Sequence, residues 1–88
     1  MDYSFSWDSF SWDRAKDNSN LRKHGISFRQ ATTVFYDANQ ISIVDEKHSQ
    51  EEERWITIGL DSSSVVRVVV HTFEQVEPEL CRIRIISS

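Results

Sequence analysis

Two predicted strands near the end of the chain carry four side chains that could bind an anion. Side chains alternate between the two faces of a strand, so Arg67 and His71 share one face of the first strand. Arg82 and Arg84 likewise share one face of the second. If the strands pair as a hairpin with their aliphatic faces together, the other face holds all four side chains, which suit a phosphodiester. The alternative is an exposed face of ordinary solvated arginines.

A polar ridge on the first predicted helix is a second candidate binding surface. Lys16, Asn20 and Lys23 lie at positions i, i+4 and i+7, which fall on one side of a helix. This ridge could hold phosphates or contact an acidic partner. The alternative is a surface helix whose last-turn cations, including His24, merely complement the helix dipole.

Other kinds of site are disfavoured by the residues present. His24, His48 and His71 are scattered, and no His/Cys pair has metal-ligand spacing, so we expect no metal site and no cofactor. Cys81 has the parity of the aliphatic residues in its strand, which predicts a core position rather than a nucleophile. With only two glycines, the chain lacks a glycine-rich phosphate loop.

Length and composition predict one small domain over residues 1–88, with residues 1–9 as an N-terminal extension. The net charge of −4 argues against broad, charge-driven nucleic-acid binding. A single cysteine excludes an internal disulfide, and no apolar run is long enough for a signal peptide or a membrane span. We therefore expect a cytoplasmic protein with no membrane partner.

Local signals predict a strand followed by two helices. The doublet of residues 5–8 and 10–13 predicts a first strand in its second copy, extended by the first copy. Asp13 is placed as the N-cap of a helix from about Arg14 to His24, which Gly25 ends. The pair Ser27 and Gln30 predicts a second helix that runs to about residue 36. Its buried stripe is formed by Phe28, Ala31 and Phe35.

The rest of the chain alternates in the manner of strands. We predict strands at residues 41–44, 54–60, 65–73 and 80–86, with the third in the centre of the sheet. Ile56, Ile58 and Leu60 should share one face. Residues 45–53 form an acidic loop, 61–64 a turn, and a loop containing Pro78 precedes the last strand. The fold class is α+β, with two N-terminal helices on a mostly antiparallel sheet of four to five strands.

Several stretches, in order, resemble the BrnT toxin family. The first are residues 12–16 (WDRAK), 20–28 (NLRKHGISF) and 31–35 (ATTVF). Later ones are Asp45 with His48 and Ser49, then residues 53–55, 58–59, 70–72 and 82–87. The resemblance covers the chain from about Phe10 to Ser87, and the full ordered set is specific.

The resemblance implies a fold like the RelE ribonuclease toxins and the activity of a type II toxin, a metal-independent endoribonuclease. In that chemistry a base helps the ribose 2′-hydroxyl attack the adjacent phosphate, and cations stabilise the developing charge. It also implies inhibition by a BrnA-like antitoxin, with operator DNA bound only through the antitoxin complex.

Mapped onto this chain, the resemblance favours two groups of site residues. The catalytic candidates are Arg67, Arg82 and Arg84 as phosphate binders, His71 as acid or base, and Glu53 with Arg54. The RNA-binding candidates are Lys16, Lys23 and His24.

The end of the chain keeps an alternative open. Members of the family usually continue past the last strand with a basic segment and a final helix, whereas this sequence stops at Ser88. The alternative is a catalytically inactive homologue that binds the antitoxin and helps to regulate transcription. A third interpretation, a general nucleic-acid-binding domain, fits the acidic composition poorly.

Overall fold

A computed structural model describes residues 10–49, 52–78 and 80–88. The predicted extension at residues 1–9 lies outside the described residues. Strand β1 (Phe10–Trp12) leads into helix α1 (Arg14–His24) and helix α2 (Phe28–Ala31), which continues as a 3-10 helix over Thr32–Tyr36. The remaining elements are β2 (Ile41–Val44), a 3-10 helix (Glu46–His48), β3 (Arg54–Leu60), β4 (Val66–Thr72), β5 (Glu74–Glu77) and β6 (Leu80–Ser87).

The strands form a mixed sheet with the order β1-β6-β4-β3-β2, and β5 pairs with β6 outside this path. Strand β1 runs parallel to β6, and all other pairs are antiparallel. The α+β class and the central position of β4 are confirmed. The prediction of four to five strands is wrong, because the described residues form six. The extra strand, β5, is exposed at every position and so lacks the apolar alternation that signals a strand.

The predicted helix boundaries are confirmed at three capping positions. The Asp13 carboxylate accepts a hydrogen bond from the Lys16 N–H at 3.1 Å, which begins α1. Gly25 ends it with φ +70°, a left-handed conformation that glycine adopts without steric cost. The Ser27 hydroxyl accepts a hydrogen bond from the Gln30 N–H and begins α2. No helix in the described part of the chain is long and apolar enough to cross a membrane.

The second helix departs from the prediction in its last turns. Its α-helical part ends at Ala31, and the chain reaches Tyr36 as a 3-10 helix. The Thr32 and Thr33 hydroxyls donate to the backbone oxygens of Arg29 and Gln30, each at 2.6 Å. Such bonds compete with the regular α-helical pattern, which accounts for the tighter winding.

The core lies between this second helical segment and one face of the sheet. Phe28, Ala31 and Phe35 are buried, as predicted. They belong to a cluster with Phe10, Ile26, Val34, Val69, Cys81, Ile83 and Ile85. We call this covered face the helix-side face.

Helix α1 contributes little apolar surface to that core and is held by polar bonds instead. Asn20 is its only buried residue. The Asn20 side-chain amide donates to the Ile26 carbonyl at 3.1 Å, and its oxygen accepts the Ser88 N–H at 3.2 Å. The Asp17 carboxylate accepts the Phe28 N–H at 2.8 Å. These bonds tie α1 to both α2 and the end of β6.

The opposite face of the sheet carries a second set of aliphatic side chains. Paired residues of adjacent strands share a face, and the register pairs Ile41 with Ile58, Ile43 with Ile56, Ile56 with Val70, Ile58 with Val68 and Leu60 with Val66. The prediction that the three residues of β3 share a face is confirmed. No helix of the described chain covers these side chains, so we call this the open face. We define its apolar patch as Ile41, Ile43, Ile56, Ile58, Leu60, Val66, Val68 and Val70.

Candidate functional site

The four-residue anion site predicted on the last two strands does not form. His71 lies opposite Ile85 in the β4–β6 pairing, so both belong to the helix-side face. Arg82 and Arg84 alternate with the buried positions of β6 and are exposed on the open face. The prediction that Arg67 and His71 lie with Arg82 and Arg84 is therefore wrong. The pairing of His71 with Ile85 turns the odd-numbered side chains of β4 toward the helices, and the even-numbered valines of β4 therefore lie on the open face.

His71 is a buried residue whose two ring nitrogens both contact protein atoms. Only 3% of its surface is exposed. The Thr72 carbonyl, 3.0 Å from Nδ1, can only accept, so Nδ1 carries the hydrogen. Nε2 then accepts from the Thr57 hydroxyl at 2.7 Å, which leaves the Thr57 oxygen to accept from Ser42 at 2.6 Å. The ring also packs edge-on against Phe35 at 4.8 Å between centroids.

Burial lowers the pKa of His71 below its usual value, and the hydrogen bond to Thr72 offsets this only in part. The ring lies beside a cavity of about 410 Å³ that is also lined by Ser42, Trp55 and Phe73. Because both ring nitrogens are bonded to protein atoms and the ring is buried, His71 is better suited to holding β3 and β4 together than to transferring protons.

Arg67 also has a structural place, at the beginning of β4. Its Nε donates to Asp61 Oδ2 at 2.9 Å, and the Asp61 side chain is fully buried. Burial alone would raise the pKa of Asp61. The bonds from Arg67, from the Val65 and Ser63 N–H groups and from Gln30 outweigh that effect and lower the pKa. Arg67 therefore neutralises a buried carboxylate that organises the turn at residues 61–64.

Arg54 and Arg84 lie in one row across the open face. Arg54 of β3 is paired with Thr72 of β4. The Thr72 hydroxyl accepts the backbone N–H of Arg84 of β6 at 3.2 Å. Arg82 lies two residues earlier on the same face, opposite Glu74. We call Arg54, Arg82 and Arg84 the arginine cluster, because β3 and β6, on either side of β4, bring them to the same face of the sheet.

Glutamate from the acidic loop reaches this cluster, but at a different position from the predicted one. Arg84 Nη2 donates to Glu52 Oε1, and both side chains are about half exposed. Glu53, the predicted candidate, instead accepts from Trp55 Nε1 at 3.1 Å. Glu52 lies before β3 begins, where the alternation of a strand does not apply, so no sequence signal identified it.

An aspartate–histidine pair borders the cluster and was not predicted as a site. His48 Nδ1 lies 2.9 Å from Asp45 Oδ2, and the His48 side chain is 59% exposed. The Asp45 N–H donates to the Arg54 carbonyl at 2.8 Å, and the Arg54 N–H donates to the Ser49 hydroxyl at 2.9 Å. The first part of the acidic loop is thereby fixed to the beginning of β3. The sequence signal was the spacing of Asp45 and His48, one short helical turn apart.

The cations of α1 line a shallow groove near the end of β6. Lys16, Lys23 and His24 are exposed and contribute to a cavity of about 290 Å³, together with Ile86 and Ser87. Lys16, Asn20 and Lys23 line the same groove, as the predicted ridge requires, but the Asn20 side chain is buried in hydrogen bonds to the backbone and only the lysines are exposed.

Cys81 is buried, as predicted, and burial raises the pKa of its thiol. A thiol in such a place is a poor nucleophile. Within residues 10–49, 52–78 and 80–88, no group of three or more His, Cys, Asp and Glu side chains could hold a metal ion.

Comparison with known proteins gives one match that covers most of the chain. The sequence pattern of a family described as the ribonuclease toxin, BrnT, of a type II toxin–antitoxin system matches residues 12–88. No curated protein matches this chain. The matched range begins at the last residue of β1 and includes every site residue described above. The chain therefore belongs to the BrnT family of ribonuclease toxins of type II toxin–antitoxin systems, whose partner is a protein antitoxin.

Proposed function

We propose that this chain is a metal-independent endoribonuclease whose cleavage site is the arginine cluster on the open face. The observation that carries the proposal is that strand register places Arg54, Arg82 and Arg84 on the same, open face of the sheet. Guanidinium groups donate paired hydrogen bonds that match phosphate oxygens. The net charge of −4 does not oppose this assignment, because binding at one phosphate depends on the local field.

The reaction that fits these groups is an internal transfer at phosphorus. The ribose 2′-hydroxyl loses its proton and attacks the adjacent phosphate, while the bond to the 5′-oxygen of the next nucleotide breaks. The departing oxygen takes up a proton, which leaves a 2′,3′-cyclic phosphate and a 5′-hydroxyl. Negative charge builds up on the phosphate in the transition state, and prearranged cations stabilise it there.

His48 is our candidate for the base, in place of His71. The Asp45 carboxylate can only accept a hydrogen bond, so it holds the proton on Nδ1 and leaves Nε2 of the exposed ring able to accept one. Imidazole is the most frequent general base in proteins. Glu52 positions Arg84, since its carboxylate accepts a hydrogen bond from the Arg84 guanidinium. Glu53 is bound to Trp55, and we assign it no step.

The groove beside α1 is a second proposed RNA contact, separate from the open face. Ser87 lines this groove about 10 Å along β6 from Arg84, and the core residue Phe28 lines it as well. Lys16 and Lys23 can contact neighbouring phosphates there without reading the base sequence. His24, at the end of the same helix, lies beside them.

The remaining parts of the proposal come from the family. We propose that the fold is of the RelE type, that the antitoxin is BrnA-like, and that operator DNA is bound only through the antitoxin. RNA as the substrate implies action in the cytoplasm. The RelE-type fold is supported by the two helices that precede a largely antiparallel sheet. The antitoxin assignments are supported by the family's description as a type II toxin–antitoxin system.

The test is cleavage of labelled RNA by the purified chain in EDTA, with the new ends identified. The proposal expects metal-independent cleavage that leaves 2′,3′-cyclic phosphate. Intact RNA from a folded chain, with and without added ribosomes, would contradict it and would favour the inactive, antitoxin-binding homologue.

A further inference from the structure

The apolar patch on the open face is large for the surface of so small a protein. Six of its side chains, on β2, β3 and β4, are between 40% and 64% exposed. They are Ile41, Ile43, Ile58, Leu60, Val66 and Val68. Single exposed aliphatic residues are ordinary, but a contiguous set on three neighbouring strands marks a surface that binds another molecule.

The dimensions of the patch suit one helix. Three adjacent strands span about 10 Å, and Ile56 to Leu60 spans about 13 Å along β3. An amphipathic helix of about three turns is roughly 16 Å long and presents an apolar stripe of this width. A helix on this face would also complete the layered arrangement, since the described helices cover only the other side of the sheet.

Positive charge adjoins one end of the patch. Ile56 lies two residues after Arg54 on β3, and Val70 lies two residues before Thr72, the neighbour of Arg84. Arg54 and Arg82 form no ion pair with another described residue. A partner that covers the aliphatic side chains therefore meets guanidinium groups at this end, and its complementary charge is negative.

We propose that the open face is the docking surface of the antitoxin, which binds through an amphipathic helix. Its aliphatic stripe covers the apolar patch, and its acidic residues contact the arginine cluster. The part of this inference that concerns inhibition rests on the proposed function. Partner carboxylates on Arg54 and Arg82, beside the Arg84 that Glu52 holds, occupy the places of RNA phosphates, so antitoxin and RNA exclude each other.

Cysteine labelling tests the docking surface without relying on activity. The natural Cys81 is buried and gives little background. Val68→Cys places a thiol in the apolar patch, and Leu21→Cys places a matched thiol on α1, because both side chains are 49% exposed. The probe is the cognate antitoxin protein, purified with each variant after co-expression. Maleimide labelling rates are compared for free and complexed protein.

The proposal expects rapid labelling of both variants when free. In the complex, labelling at position 68 should slow by at least about tenfold, while labelling at position 21 stays within about twofold. Equal labelling at position 68 in both states would overturn the docking surface. Slow labelling of free Val68→Cys would also overturn it, because the open face would already be covered. A labelling rate that depends on protein concentration would identify a second copy as the cover, and a constant rate would identify this chain itself.

A charged substitution separates docking from catalysis. Val68→Lys should weaken antitoxin binding by at least about tenfold and leave RNA cleavage unchanged, whereas Leu21→Lys should change neither. If the wild-type chain cleaves no RNA, the proposed function fails. The labelling rates and the antitoxin affinities still test the docking surface in that case. Unchanged antitoxin affinity for a folded Val68→Lys protein would contradict the inference.

Discussion

Replacing His71 with alanine should destabilise the fold without removing the chemistry. The substitution leaves the buried Thr57 hydroxyl without its acceptor, which costs about 1–3 kcal/mol. It also removes a ring that packs against Phe35, and the adjoining cavity lets water fill part of that space. We expect a total loss of about 2–4 kcal/mol, a large part of the roughly 4–13 kcal/mol available to a chain of this length.

Urea unfolding and RNA cleavage, measured on the same samples, separate the two roles. His71→Gln is the matched control, because its side-chain oxygen can still accept from Thr57, and it should lose only about 1–2 kcal/mol. Per folded molecule, both variants should cleave RNA at the wild-type rate. A His71→Ala protein with an unchanged urea midpoint and cleavage more than about 100-fold slower would refute the structural role.

Two further predictions concern pH and the proposed base. The folded-state pKa of His71 lies below its ordinary value of 6.5, so the unfolded chain binds the proton first as pH falls. Stability should therefore decline below about pH 6.5 by at most about 1.4 kcal/mol per pH unit. Asp61 and Asp37, whose pKa values lie below 3.8, should add a second loss below about pH 4. Urea midpoints from pH 8 to pH 3.5 measure both declines, and a flat profile from pH 8 to pH 5 would contradict the first. His48→Ala should slow RNA cleavage by about 10²–10⁴-fold with little change in stability, while Lys47→Ala, its exposed neighbour, should cleave normally. A normal rate in His48→Ala would assign the base to another group.

The parts of the fold that could be predicted from the sequence depend on local chemistry. Asp13, Gly25 and Ser27 act on backbone groups within a few residues, so their types and positions determine where the helices begin and end. The buried stripe containing Phe28 is visible for the same reason, since its spacing matches one turn of a helix. Strand β5 could not be predicted, because its pairing with β6 leaves no apolar pattern in residues 74–77.

The position of the candidate site depended on which face of the sheet the helices cover, and the alternation of side chains along a strand does not determine this. Parity placed Arg67 with His71 and Arg82 with Arg84, and the structure agrees with both pairs. The even-numbered face of β4 is aliphatic, whereas the odd-numbered face carries Arg67 and His71 beside Val69, so the apolar pattern favoured the face that α2 does not cover. The covered face is determined by where the helices pack. Their packing buries His71 in the core and leaves Arg84 at the surface.

The central claim is that RNA is cleaved on the open face, and two alanine variants test it most directly. Arg84→Ala should slow cleavage by about 10²–10³-fold, with a change in stability within about 0.5 kcal/mol because its ion pair is exposed. Arg67→Ala leaves the buried carboxylate of Asp61 without its cation. It should lose about 2 kcal/mol or more and keep the wild-type rate per folded molecule. The opposite pattern, normal cleavage by Arg84→Ala and none by folded Arg67→Ala, would place the site on the helix-side face and contradict the account.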